Sequence, residues 1–385
     1  MKCIDELPAS ELKGKRVFLR TSLNLPVAAD GSISDIFRLK RGLPTIEYLV
    51  QRGAKVIIAG YFGRKGESMR LVAEALQKLA PEIKIYFFGT PFEQAPQEVV
   101  ALKDGECLVL ENTRRHPGEE ANDPEFAKLL AGMADIFVND GFIDAHRDYA
   151  STAGIAKFLP AYAGLLMRDE VREIDAARAP LSPSLAILGG AKFETKAPLI
   201  KLLLEKYDHL FVTGALSNDV FKARGLAVGR SLISKELPDK AVLEHPHLLI
   251  PVDVTVEKPD GSARVKKPED IEADERLVDI GPDTVKMLAP FIGEAQFILW
   301  SGPTGIYEDG YNVYTQHIAE LITKAVEHGA KAIIGGGDTI AAIEAAGVPQ
   351  EQLGFLSTGG GAMLEYLLKG TLPGVEALSQ IVDGR

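Results

Sequence analysis

Arginine recurs where apolar segments end. The run at 16–19 is followed by RTSLN, with Arg20 and Asn24, and Arg38 opens the next helix-period stretch. GYFGR with Arg64 follows the run at 55–59. ENTRRHPGEE, with Arg114 and His116, follows 107–111, and DGFIDAHR, with His146 and Arg147, follows 136–139. Each of these cations alone reads as a solvated surface charge. A set recurring after four strands reads as an anion site, and the planar guanidinium fork suits phosphate or carboxylate.

In the second half the recurring residue is glycine. GGAKFETK (189–196), TGAL (213–216), SGPTGIYE (301–308), GGGDT (335–339) and STGGGA (357–362) each follow a predicted strand. Glycine lets backbone approach a ligand closely, and helix N-termini aim free N–H groups at phosphate. Lys192 and Lys196 add point charges, and Asp338 offers an oxygen to a metal. One such glycine is only a tight-turn residue; five such turns, two of them GGG, point to a nucleotide site. GxxxxGK[ST] is absent, so this is not a P-loop enzyme, and the lack of a first-strand GxGxxG disfavours a dinucleotide dehydrogenase. HExxH, CxxC and GxSxG are absent too. A cationic half and a glycine-rich half together suggest phosphoryl transfer.

Parallel sheets position such turns. Short apolar runs are expected as strands at 16–19, 55–59, 83–88, 107–111 and 136–139, then at 184–188, 210–213, 248–252, 297–300, 332–334 and 355–357. Helix-period stretches lie between them, at 39–51, 69–79 and 124–133, then 195–206, 312–328 and 339–346. Near-continuous apolar strands flanked by helices indicate parallel sheets covered on both faces. The expected fold is therefore α/β, with two doubly wound parallel-sheet lobes joined by an interdomain helix and hinge. The helix-period stretch 163–178 and the break APLSPS supply that join, because Pro180 and Pro183 end the helix. The polar stretch 254–271, with its Pro-Asp-Gly turn, suits a small β excursion.

Composition agrees. At 385 residues, 46% apolar and 25% charged, the chain has material for two cores. A net charge of -11 disfavours nucleic acid. Two cysteines far apart make neither a disulfide framework nor a metal-ligand spacing. The N-terminus has no apolar signal region, and no window reaches the length of a membrane span, so a cytoplasmic location is expected.

Longer motifs carry a resemblance that covers nearly the whole chain. DGSISDIFRLKRGLPTI, LENTRRHPGEEANDPEFAKLLA, STAGIAKFLPAYAGLLM, ILGGAKFETK, PVDV at 251–254, DIGPDT, GGGDT, STGGGA and LPGVEAL resemble phosphoglycerate kinases, in that family's order and spacing. The resemblance implies phosphoryl transfer between Mg-ADP/ATP and the acyl phosphate of 1,3-bisphosphoglycerate, usually by a monomer. It implies a substrate lobe at 1–163, an interdomain helix and hinge at 164–183, a nucleotide lobe at 184–364, and a segment at 365–385 returning to the first lobe. By motif, Asn24, Arg38, Arg64, Arg114, His146 and Arg147 correspond to binders of the phosphorylated acid, and Arg20, Ser22 and Tyr61 stand in the same motifs. Gly189, Gly190, Lys192, Lys196, Ser301, Pro303, Glu308, Gly337, Asp338 and Thr339 correspond to the nucleotide side. There Glu308 would take the ribose and Asp338 the Mg²⁺. Arg38 and Lys196, with Gly359, Gly360 and Gly361, would stabilise the moving phosphoryl group.

The chain departs from the family at the ligand-binding motifs. The family's Arg-Val-Asp-Phe-Asn reads RTSLN, with Ser22 at the aspartate. Ser-His-Leu-Gly-Arg reads GYFGR, with Tyr61 at the histidine. Ile143, Asp144 and Tyr149 replace a glycine, a threonine and a second histidine. Asp144 beside an anion site would repel unless an arginine pairs with it. On the nucleotide side Thr195, Ala215, Leu216 and Ser301 differ. Three readings stay open on these differences: a divergent phosphoglycerate kinase, a kinase of a related phosphorylated acid, and a non-catalytic protein that binds a nucleotide or phosphometabolite.

Overall fold

The computed structural model describes residues 1–28, 30–63 and 66–379. The chain divides into two compact units. Unit 1 is Met1–Arg172 with the chain from Thr371 onward, and unit 2 is Glu173–Gly370.

Unit 1 holds six parallel strands: β1 (Arg16–Arg20), β2 (Lys55–Ala59), β3 (Ile85–Phe88), β4 (Cys107–Leu110), β5 (Ile136–Asn139) and β6 (Ala161–Ala163). Their spatial order is β3-β4-β2-β1-β5-β6. The chain builds outward on one side of β1 and then crosses to β5, which pairs with β1 from Val17↔Ile136 to Arg20↔Asn139. The crevice at the carboxyl ends of β1 and β5 is thus a topological switch point, where open α/β sheets bind ligands. Val17, Phe18, Leu19, Phe137 and Val138 are buried on both faces of the sheet.

Unit 2 repeats the plan with β7 (Ser184–Leu188), β8 (His209–Val212), β9 (Leu248–Leu249), β10 (Val254–Glu257), β11 (Ala263–Lys266), β12 (Arg276–Ile280), β13 (Phe297–Ser301), β14 (Lys331–Gly335) and β15 (Phe355–Ser357). The large sheet runs β15-β14-β13-β7-β8-β9, so its switch point lies between β7 and β13. Strands β10 to β12 form a separate antiparallel sheet. The Pro-Asp-Gly turn joins its first two strands, with Lys258 N–H donating to Ser262 O at 2.9 Å.

Several elements differ from expectation. Arg20 lies inside β1, not after it. β3 begins at Ile85, and β9 ends at Leu249, just ahead of Pro251. β6 was unmarked because a three-residue, partly exposed strand carries no apolar run. The helix Pro282–Glu294 was hidden by Pro290 within it. After Gly370 the chain packs on unit 1: Leu372 and Leu378 are buried, and Gly374 N–H donates to Ala145 O at 2.8 Å. No helix among the described residues is long and apolar enough to cross a membrane.

Candidate active site

At the unit 1 switch point, the loops after β1, β2, β4 and β5 bring polar side chains together around Tyr61. Its ring is 7% exposed, and the Arg114 guanidinium lies 3.6 Å from the ring centroid. Asn24 Nδ2 points at the Tyr61 hydroxyl at 3.5 Å, while Asn24 Oδ1 accepts from Gly63 N–H at 2.9 Å. Arg38 donates to the Asn24 carbonyl. Arg147 donates to the Tyr149 hydroxyl at 3.0 Å, which donates to Glu120 at 3.3 Å, and Glu120 also lies 3.2 Å from Arg114 Nε. Burial pushes the Tyr61 phenol up, and the Asp144 charge adds to this, so the ring stays neutral at neutral pH. Ser22 is buried, and its Oγ has no hydrogen-bond partner among the described residues. His146 is half-buried on the loop after β5. Arg64 lies outside the described residues.

Arg20 is placed differently from the other cations. It is fully buried, and its guanidinium is held by Asp144 at 3.0 Å, Ser151 Oγ at 3.2 Å and the Thr21 carbonyl at 2.5 Å. Its guanidinium is thus engaged by protein groups rather than presented to solvent. It instead neutralises Asp144, which is the pairing that carboxylate needs beside an anion site. His116 also points elsewhere, stacking on Phe126 with ring centroids 3.7 Å apart.

At the unit 2 switch point, β7 and β13 end in loops that touch backbone to backbone. A Cβ on Gly302 would lie 2.6 Å from the Gly189 backbone, and Gly302 also has φ +99°, so only glycine fits there. Beside this contact opens a cavity of ≈ 600 Å³ whose lining includes Gly190, Ala215, Pro303, Glu308 and Asp338. Lys196 Nζ donates to the carbonyls of Gly189 at 3.2 Å and Ala191 at 3.3 Å. Burial pushes its pKa down, and Asp338 opposes that shift. Lys192 is exposed in a left-handed conformation at the start of the helix Phe193–Lys206. Gly337 and Asp338 are exposed in the first turn of the helix Gly337–Ala345. The two GGG turns lie close, since a Cβ on Gly360 would sit 3.9 Å from Gly336 Cα.

Two expected nucleotide-side residues, Thr339 and Ser301, and one glycine expected at the moving phosphoryl group, Gly359, have their side chain or N–H engaged within the loops or buried. Thr339 is fully buried, accepting from Gly302 N–H at 2.7 Å and donating to Gly335 O at 2.9 Å, so it ties the β13 loop to the β14 loop. Ser301 is buried at the end of β13 and does not line the cavity. The Gly359 N–H is taken up by Ser357 Oγ at 3.0 Å, which leaves Gly360 and Gly361 as the amides that can face an anion. The cavity also has walls that sequence reasoning missed: Asn218, Arg230, Arg276 and Asp279. Burial pushes the Asp279 carboxyl up to about 7. Its motif, DIGPDT, was noted without a role, and β12, which carries it, has no clear apolar run.

Comparisons with known proteins point to one family. The phosphoglycerate kinase family model matches residues 5–370. A curated protein named phosphoglycerate kinase from Synechococcus elongatus is 42% identical, covering 98% of each chain. A chloroplastic phosphoglycerate kinase from Volvox carteri is 41% identical, covering 98% of this chain and 86% of its own. Among solved structures, phosphoglycerate kinase from Coxiella burnetii superposes with a TM-score of 0.82 at 34% identity, and that from Pyrococcus horikoshii with 0.85 at 28%. Each comparison covers 98% of both chains. With the family model matched over residues 5–370 and relatives of 41–42% identity covering 98% of its length, the chain belongs to the phosphoglycerate kinase family.

Proposed function

We propose that the chain transfers a phosphoryl group between Mg-ATP and the carboxylate of 3-phosphoglycerate, giving 1,3-bisphosphoglycerate and ADP, or runs the reverse reaction. One observation supports this most. An arginine-bearing face and a glycine-lined cavity occupy the switch points of the chain's two sheets.

In this reading Arg114 and Arg147 anchor the phosphate of the acid, while Asn24 and Ser22 face its hydroxyl and carboxylate. The acid's own carboxylate oxygen attacks, so no general base is required. Arg38 and Lys196 neutralise charge on the phosphoryl group in flight, aided by the amides of Gly360 and Gly361. Gly189, Gly190 and Lys192 border the nucleotide phosphates, Pro303 borders the base, and Glu308 accepts from the ribose hydroxyls. Among the described residues no cluster of three or more His, Cys, Asp or Glu could hold a metal. Asp338 alone suits Mg²⁺, which often binds one or two carboxylates and completes its shell with water and substrate phosphates. When bound, the ion supplies charge neutralisation at the phosphates.

The reading extends to a cytoplasmic monomer. The buried free thiols Cys3 and Cys107 suit a reducing compartment. A related phosphorylated acid remains a second candidate substrate, favoured by Tyr61, Asp144 and Tyr149 around the arginines.

Mutant kinetics test the roles. Replacing Lys196 or Arg38 by alanine should lower kcat by about 10²–10³-fold, the scale of losing one transition-state charge donor. Unchanged kcat in both variants would overturn their assignment.

A further inference from the structure

We propose that Tyr61 is a positioning residue for binding of the phosphorylated acid, its ring face fixing the plane of the Arg114 guanidinium at the anion-binding face of unit 1. This rests on the reading of that face as the acid site. Position 61 lies in the loop after β2, at the carboxyl edge of the sheet where β1 and β5 part.

The geometry supports a ring-face role. The Arg114 Cζ sits 3.6 Å from the Tyr61 centroid, a stacking distance at which the ring's negative face attracts the cation. The ring is 7% exposed and therefore held still. An arginine side chain is long and flexible, and it binds an anion bidentately only when its plane is set. The phenol hydroxyl contributes less, since among the described residues its one hydrogen-bond contact, from Asn24, is long at 3.5 Å.

The remaining contacts of Arg114 are exchangeable. Its Nε faces Glu120 at 3.2 Å, but the Glu120 side chain is 58% exposed, and exposed pairs of this kind are weak. A ligand phosphate can therefore take over from Glu120 while Tyr61 keeps the guanidinium in place. Tyr149 braces the neighbouring cation as well: its hydroxyl accepts from Arg147 and donates to Glu120, and its ring centroid lies 5.7 Å from the Arg147 guanidinium and 6.0 Å from that of Arg114.

Steady-state kinetics with 3-phosphoglycerate and Mg-ATP test this. Tyr61→Leu and Tyr61→Met both fill the space without a ring face. Each should raise KM for the acid by about 5–30-fold, the range of a partly desolvated cation–π contact, with KM for Mg-ATP within about twofold of the parent. Tyr61→Phe should recover most of that loss. An acid KM unmoved in both aliphatic variants, or a Phe variant as impaired as they are, would overturn the role of the ring. A rise in both KM values together would show a change not confined to the acid site and would equally count against it. Arg114→Ala separates the two levels: if it leaves the acid KM unmoved, the acid-site reading itself fails.

Discussion

Arg20 and Asp144 lie 124 residues apart in sequence and form one buried pair. Removing one partner leaves a buried charge uncompensated. Asp144→Ala should therefore lower the unfolding free energy by about 3–5 kcal/mol in urea titrations, and a loss below about 1 kcal/mol would contradict the pairing's importance. Asp140 makes a different prediction. It is buried, accepts from the N–H groups of Leu166 and Met167 at the start of the helix Leu165–Arg178, and burial pushes its pKa up to about 7. A pKa raised on folding means that the native state holds the proton more tightly than the unfolded chain. Its contribution is fully present below about pH 4, the ordinary aspartate range, and is lost as pH rises through about 7. The stability of the parent relative to Asp140→Asn should fall across that window, with a slope of up to about 1.4 kcal/mol per pH unit. A flat difference would show that the carboxyl is already ionised. At this scale the sequence was legible for residue type and poor for partner. RTSLN marks Arg20 as a cation beside the substrate motif, but only the crossover from β1 to β5 reveals that Asp144 reaches it.

At the scale of elements, the turns matter more than the strands. The contact between Gly189 and Gly302 lets the β7 and β13 loops meet. Gly302→Ala adds a Cβ into that contact at an unfavourable φ, so a loss of about 1–3 kcal/mol is expected. KM for Mg-ATP should rise with it, while KM for the acid holds. Equal effects on both ligands would indicate a fault beyond the cavity. The strands with continuous apolar runs and the glycine turns could be read directly, because burial on both faces and positive φ leave compositional marks. β6 and β12 could not, being short or interrupted by charge. The roles of Thr339 and Gly359 were also hidden, since a residue in a nucleotide motif can equally hold the loop that carries it.

For the whole molecule, each unit has its own sheet, core and candidate ligand site. Hydrogen exchange should therefore respond locally, with Mg-ATP protecting the loops after β7, β13 and β14, and 3-phosphoglycerate protecting those after β1, β2 and β4. Protection by nucleotide confined to unit 1 would contradict the assignment. The segment after Gly370 was legible from LPGVEAL through the family resemblance and not from periodicity, and Leu372, Val375 and Leu378 are buried against unit 1. The last residues of that segment, 380–385, lie outside those described.

The proposed phosphoryl transfer to 3-phosphoglycerate rests on an acid-facing set that includes Tyr61, Arg114, Arg147 and Tyr149. The most direct measurement is turnover by the purified chain with 3-phosphoglycerate and Mg-ATP, with the acyl phosphate trapped by hydroxylamine as it forms. ATP-dependent hydroxamate formation is expected, needing both substrates and nearly abolished in Lys196→Ala. No hydroxamate from a folded chain that binds Mg-ATP and 3-phosphoglycerate would contradict it.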